Sequence, residues 1–405
     1  MNNELDASFK QILAGLDSRR PDFVVSLVDR ILDQASAAGS SDVHLQPESD
    51  GLQIRYRIDG VLRHVVTLPS TIAPNVVARL KVMSGLLTYR SDVPQEGRMT
   101  GPGSVTIERR VSTFPTLHGE RVVIRLFANS RQYQQIAELG LPTLVNSALE
   151  SAIRETTGAI LIVGPAGSGK TTTLYACLRE ILSLSGGERS VVSLEDPIEV
   201  ALPGVAQSQV NPGSGFDLAR GLKSLVRQDP EVIAIGEIRD PESAAIAFEA
   251  ALTGQLVLST FHAGSASEAI GRLLDMGLEP YVLRSGLRAV IHQRLLRKLC
   301  RCAKPLENPS TWLGLPVKQA QGPVGCQECQ DTGYSGRILL TEWLEPVSSL
   351  VTRAILARAD VTTLEQAAIE AGMVTRWARA IETIETGQTS PAEVRRVLGL
   401  GQPSR

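Results

Sequence analysis

The stretch "GPAGSGKTTT", Gly164 to Thr173, constrains this chain more than any other. It fits the pattern G-x-x-x-x-G-K-[ST] and stands between an apolar run, "AILIVG", and a segment carrying Leu174, Cys177, Leu178, Ile181 and Leu182 at helical spacing. A strand, a glycine-rich turn and a helix N-terminus in that order form a phosphate cradle, because glycine lets backbone N–H groups wrap an anion and the helix end adds partial positive charge. Gly164, Pro165, Ala166, Gly167, Ser168, Gly169, Lys170, Thr171 and Thr172 are the expected cradle. Within it, Lys170 is placed to reach the β- and γ-phosphates of a nucleotide, and Thr171 to ligate Mg²⁺. Cys177 reads as a core residue of the following helix.

Three more apolar runs follow, separated by helical segments: "VVSLED", "EVIAIGE" and "QLVLSTFH". That alternation predicts a parallel sheet with crossover helices, whose ligands collect at the carboxyl ends of the strands. At those ends stand Glu195 and Asp196, Glu237, and His262. A carboxylate at Glu195 or Asp196 is suited to orient or deprotonate an attacking water, and Glu237 to reach the metal or its water shell. Gly236 precedes Glu237, where many nucleotide hydrolases carry aspartate. Taken singly, each of these groups has a structural alternative as a cap or a satisfied polar residue; their convergence carries the reading.

Upstream, "GLQIRYRIDGVLRHVV" alternates apolar and polar residues around Asp59-Gly60, a favoured hairpin dipeptide. A second hairpin pairs "RRVSTF" with "ERVVIRLF" around "PTLHG", with Val122, Ile124 and Leu126 on one face and Arg121 and Arg125 on the other. "APNVVARLKVMSGLL" between them reads as a helix. The expected organisation is an α+β domain over 1–130, a polar connection over 131–142, an α/β core over 143–295, a cysteine-containing arm over 296–340 and a helical region over 341–405, where Thr362 and Glu365 form a capping box. At 405 residues several domains are the default. A net charge of −2 and 4% aromatic residues give no general reason to bind nucleic acid. The first residues, "MNNELDASFK", have no signal-peptide pattern, and no run reaches membrane-spanning length, so a cytoplasmic location is expected.

Four of the five cysteines cluster as Cys300-x-Cys302 and Cys326-x-x-Cys329. So few thiols in so long a chain do not resemble a disulfide framework. A zinc cage is the leading reading, with vestigial thiols and redox activity as alternatives; the one-residue spacer of the first pair is tighter than the usual two to four.

Read in order, "SDVHLQP", "RYRIDG", "PQEGR", "VSTFPTLHGERVVIRL", "GPAGSGKTTTLY", "LEDPIE", "QSQVNPGSGFDLARGLKSLVRQDPEVIAIGEIRD", "TGQLVLSTFHAGSA" and the cysteine segment ending "TGYSGR" resemble the secretion ATPases of bacterial type II secretion and type IV pilus assembly, over roughly Ser40 to Glu345. The resemblance implies a RecA-like ATPase core preceded by a smaller PAS-like regulatory domain, with nucleotide bound between them. Glu195 then falls in the family's acidic box as catalytic glutamate, Glu237 in its atypical Walker B strand and His262 in its histidine box. Arg110 and Arg125 match arginines that approach the phosphates, Arg98 in "QEGR" is a third, and Arg121 reads as a solvated charge. His44 receives no chemical role. Relatives usually carry histidine where this chain has Gln255 after Gly254, and C-x-x-C where it has Cys300-x-Cys302.

The implied protein is a homo-hexameric motor that hydrolyses ATP with Mg²⁺, holds Zn²⁺ in its arm, and works at the inner membrane through a platform protein and a cytoplasmic docking partner. Three rivals use the same loop. A phosphotransferase would yield a phosphorylated product, a nucleic-acid motor would be stimulated by nucleic acid, and a nucleotide-gated scaffold would not turn over.

Overall fold

The computed structural model describes residues 20–100, 108–126 and 135–401, which form two compact units. Of the described residues, those up to 126 and the loop Val324–Gly333 make the first, and residues 135–323 and 334–401 the second.

Two-residue alternation builds the first unit. After helix α1 (Phe23–Ala37) come β1 (Asp42–Glu48), β2 (Gly51–Ile58) and β3 (Val61–Leu68). Helix α2 (Ala73–Met83) leads to β4 (Gln95–Thr100), β5 (Glu108–Thr116) and β6 (Gly119–Leu126). The six strands pair antiparallel in the order β3-β2-β1-β6-β5-β4, with both predicted hairpins in place. Val43, Leu45, Leu52, Ile54, Tyr56, Val122 and Ile124 share one buried face, covered by Leu27, Ile31 and Leu32 of α1 and Val76 and Leu80 of α2. Tyr56 keeps its hydroxyl satisfied inside that core by donating to Ile31 O at 2.8 Å. The intervening residues leave a polar opposite face, the expected product of period-two patterning on a half-covered sheet.

The second unit opens with α3 (Thr143–Ala152), β7 (Gly158–Val163), α4 (Lys170–Leu184), β8 (Val191–Glu195) and β9 (Ala206–Gln209). It continues through α5 (Leu218–Leu225), β10 (Val232–Ile235), α6 (Pro241–Leu252), β11 (Leu256–Phe261), α7 (Ala266–Asp275), α8 (Pro280–Gly286) and β12 (Leu287–Leu299). Its seven-stranded sheet has the order β15-β12-β7-β11-β10-β8-β9, where β15 is Tyr334–Leu344; only the β12–β15 pair is antiparallel. Leu161 and Val163 of β7 pack into one core with α6 and α7, while Ile160 and Ile162 pack into the other with α3 and α4. Burial on both faces explains why these strands read as unbroken apolar runs.

A two-residue ladder, β13 (Lys304–Pro305) with β14 (Gln321–Gly322), lies within the arm. Leu315, Val317 and Ala320 of that arm share a small core with Trp377, Ala380, Ile384 and Val394. The tail carries α9 (Ser349–Leu356), α10 (Val361–Glu370), α11 (Arg376–Glu385) and α12 (Pro391–Leu398). The cap of α10 differs from the expected Thr362: Asp360 has the extended backbone of a cap and accepts from Thr363 N at 2.8 Å, whereas Thr362 already lies in the first turn. Of the connection expected over 131–142, residues from 135 are described, and Ile136–Leu139 form a 3-10 turn with Ile136 fully buried. Among the described residues no helix is long and apolar enough to cross a membrane.

Candidate active site

Because β7, β11, β10 and β8 are adjacent and parallel, Gly164, His262, Glu237 and Glu195 all emerge at one edge of the second sheet. The loop after β7 depends on backbone freedom at Gly164, whose φ is 151°. A Cβ there would lie 2.5 Å from Gln293 O and 2.6 Å from Ser168 Oγ. Lys170 opens α4, is buried, and donates from Nζ to Gly164 O and Pro165 O, both at 2.9 Å. Burial lowers its pKa, opposed by the carboxylates of Glu237 and Glu199. Gln293 Nε2 donates to Thr173 Oγ1 at 2.8 Å, fixing the first turn of α4 against β12.

Glu237 and His262 meet, with His262 Nε2 2.6 Å from Glu237 Oε1. Oε1 is buried and has no hydrogen-bond partner among the described residues, the imidazole being its close neighbour. Glu237 Oε2 accepts from Arg239 Nε at 2.6 Å, and Arg239 reaches on to Asp196 at 3.4 Å. The Glu237 carboxylate and the Thr171 hydroxyl are oxygen donors of the kind Mg²⁺ takes, with His262 as the neighbour of Oε1. The glycine at 236 also has a structural reason. A Cβ there would stand 3.1 Å from Glu195 Cα, so an aspartate would crowd the ends of β8 and β10 and require a small shift between them.

Glu195 lies differently from its expectation. It is only 3% exposed, and its carboxylate is engaged by Tyr175 Oη at Oε2 and by Ser193 Oγ (2.6 Å) and Gln207 Nε2 (2.9 Å) at Oε1. The carboxylate of the same "LEDPIE" segment that meets the phosphate loop is Glu199, which is exposed and accepts from Thr171 Oγ1 at 3.4 Å. Nothing local in the segment says which of its acids turns to the loop; that is decided by partners on α4 and β9. Gln255 stands at the amino end of β11, opposite the edge that carries His262, and its side chain accepts from Thr253 Oγ1 at 3.1 Å. It is therefore a local turn contact, remote from the phosphate loop.

In the first unit, cross-strand register puts the three arginines in one rank. Arg98 on β4 pairs with Arg110 on β5, Arg110 with Arg125 on β6, Arg125 with Asp42 on β1, and Asp42 with Arg57 on β2. Directly opposed residues share a face, so these side chains project together. Arg125 Nε lies 3.1 Å from Asp42 Oδ1, and Arg57 Nε 3.5 Å from Oδ2. Arg121 is half-buried rather than solvated, with Nη2 3.3 Å from His44 Nδ1. Burial, reinforced by Arg57, lowers the pKa of His44. That pairing accords with a structural role for His44, and its partner Arg121 is what the sequence context did not reveal.

The sulfurs of Cys300, Cys302, Cys326 and Cys329 all lie within 4.8 Å of one another. A tetrahedron with Zn–S bonds of about 2.3 Å has edges of about 3.8 Å, and Cys326 Sγ and Cys329 Sγ are 3.7 Å apart. Cys329 Sγ also accepts from Cys326 N and Gly333 N, each at 3.2 Å. The one-residue spacer at Cys300 and Cys302 does not keep those thiols from the cluster. Cys177 is fully buried, with burial pushing its thiol up to about 12.

Residues 17–396 match the family model described as "Type II/IV secretion system protein". Type II secretion system protein E of Aeromonas hydrophila is 41% identical over 382 residues, 92% of this chain and 75% of that protein. Type IV pilus assembly ATPase PilB of Thermus thermophilus is 38% identical over 358 residues, 86% of this chain and 40% of that one. Among solved structures, the ATPase DotB of Legionella pneumophila superposes with a TM-score of 0.69 at 20% identity, covering 94% of this chain and 97% of DotB. The pilus retraction motor PilT with bound ADP gives 0.60 at 23% identity, covering 91% and 95%.

Proposed function

The chain belongs to the type II/IV secretion system protein family and is an ATPase of that family; on this premise we propose how its residues divide the work of hydrolysis. The product of turnover is motion that drives type II protein secretion or type IV pilus assembly at a bacterial inner membrane. The observation that carries the site reading is the meeting of Glu199 with Thr171 at the phosphate loop, while Glu195 is enclosed.

The N–H groups of Gly164 to Thr172 and the N-terminus of α4 cradle the phosphates, and Lys170 exchanges its contacts with Gly164 O and Pro165 O for phosphate oxygens. Glu199 accepts the proton of the attacking water, a role that needs an accessible carboxylate. Thr171 and Glu237 would hold Mg²⁺, with Arg239 fixing the Glu237 carboxylate at Oε2 and His262 lying against Oε1. Mg²⁺ held by these two residues would supply positive charge to the phosphoryl oxygens. Arg98, Arg110 and Arg125 are assigned to the same charge. The four thiols hold Zn²⁺ as a structural staple. Assembly is a homo-hexamer, attached to the membrane through the platform protein and a cytoplasmic docking partner.

Phosphate release by the purified protein with Mg²⁺ and ATP, measured beside nucleotide binding, tests this reading. Glu199→Gln is expected to lower turnover by about 100-fold or more while ATP still binds. Wild-type turnover in that variant would remove Glu199 from the role. A phosphorylated acceptor in place of free phosphate, or turnover that requires nucleic acid, would overturn the secretion-motor assignment.

A further inference from the structure

The assignment of Glu199 as base leaves Glu195 without a task, although it is the most completely enclosed acid of the site segment. Its three donors make it an anchor: Oε2 accepts from the Tyr175 hydroxyl, and Oε1 accepts from the Ser193 hydroxyl and the Gln207 amide. Two of those donors also grip the chain that carries Glu199. The Tyr175 hydroxyl accepts from Glu199 N at 3.3 Å. Gln207 donates to Val200 O at 3.1 Å and accepts from Leu202 N at 2.6 Å, and Gln209 Oε1 accepts from Ile198 N at 3.2 Å. The backbone from Ile198 to Leu202 is thus fastened by side chains, with Glu195 beneath it.

Tyr175 stands out because its ring is 1% exposed and lies on α4, the helix that begins with Lys170 and Thr171. A phenylalanine would fill the same space, so packing does not require the hydroxyl; its two hydrogen bonds join the phosphate-loop helix to the base-bearing segment. We propose that Tyr175 is a positioning residue for hydrolysis, transmitting the fixed place of Glu195 to the backbone of Glu199 so that the latter's carboxylate meets the phosphate loop. This rests on the reading of Glu199 as base. Burial, reinforced by the neighbouring Glu195, raises the pKa of the Tyr175 hydroxyl, so it remains a neutral donor across the working range.

The test is steady-state ATP hydrolysis and equilibrium ATP binding by the full-length protein carrying Tyr175→Phe, Glu195→Gln, both together, and Tyr175→Phe in a Glu199→Gln background. Displacing a reacting group by about an ångström costs on the order of 100-fold. Tyr175→Phe should therefore lower kcat by about 10- to 100-fold, with KM and ATP affinity within about twofold of wild type. Because the two residues act through one linkage, the Tyr175→Phe/Glu195→Gln pair should fall little further than the worse single variant. In the Glu199→Gln background the same change should remove nothing more. Wild-type turnover in Glu199→Gln would sink the base assignment. An inactive Glu199→Gln beside a Tyr175→Phe of normal kcat would sink the positioning role alone. Loss of ATP affinity in step with kcat would make Tyr175 a packing residue and overturn the proposal.

Discussion

Replacing His292 with leucine should blunt the acid sensitivity of the second unit, and the structure sets the size of the effect. Strand β12 places His292 opposite Glu342 of β15 with no exposure to solvent. Nδ1 lies 3.6 Å from Glu342 Oε2, and neither ring nitrogen has a hydrogen-bond partner among the described residues. Burial pulls the imidazole from 6.5 down to about 4; Glu342 opposes that shift, and Arg376 and Arg294 add to it. The unfolded chain therefore takes up a proton as pH falls through 6.5, while the folded chain resists until about 4. With the folded pKa depressed, stability is complete above the unfolded value and declines through the window below it. At about 1.4 kcal/mol per pH unit, the loss reaches about 2 kcal/mol by about pH 5 and about 3 kcal/mol across the window. Urea unfolding of wild type and His292→Leu at about pH 8 and about pH 5 reads the difference. The variant should lose about 2 kcal/mol less between the two conditions, whatever its stability at the higher pH. Equal losses would mean that His292 does not take up the proton. His44, also lowered by burial, remains in both proteins and supplies part of the residual slope.

Two further outcomes follow from buried charges and thiols. Lys81 Nζ lies 2.7 Å from Glu120 Oε1 and donates also to Arg90 O at 2.7 Å, with the two side chains 1% and 9% exposed. Lys81→Met, which strands the carboxylate, should cost about 3–5 kcal/mol, and Lys81→Met with Glu120→Gln markedly less. Hydrogen exchange in α2 and β6 will report both. Cys302→Ser and Cys329→Ser should each drop zinc well below one equivalent per chain by metal analysis, without weakening nucleotide binding; undiminished zinc would refute a four-thiolate site.

The sequence disclosed whatever depends on period and local chemistry. Both hairpins of the first unit follow from two-residue alternation, and the phosphate loop from its glycines and flanks. The strand-end rule located the acids but not their direction. Glu195 and Glu199 share one short segment, yet partners at Tyr175 and Gln207 decide which turns inward. Those partners come from α4 and β9, so no local pattern reveals them. Asp42 was likewise invisible as the counter-charge of Arg125, because the two meet only through the β1–β6 register.

That register makes the first sheet a ruler. Five strands spaced about 4.8 Å apart carry the rank from Arg98 to Arg57, so its ends are about 19 Å apart, longer than a triphosphate chain. A single nucleotide can span only part of it. Asp42 divides the rank, because Arg125 and Arg57 both lean on its carboxylate. An anion arriving at Arg125 must compete with a carboxylate already in place, and Asp42→Asn would remove that competitor from the middle of the row.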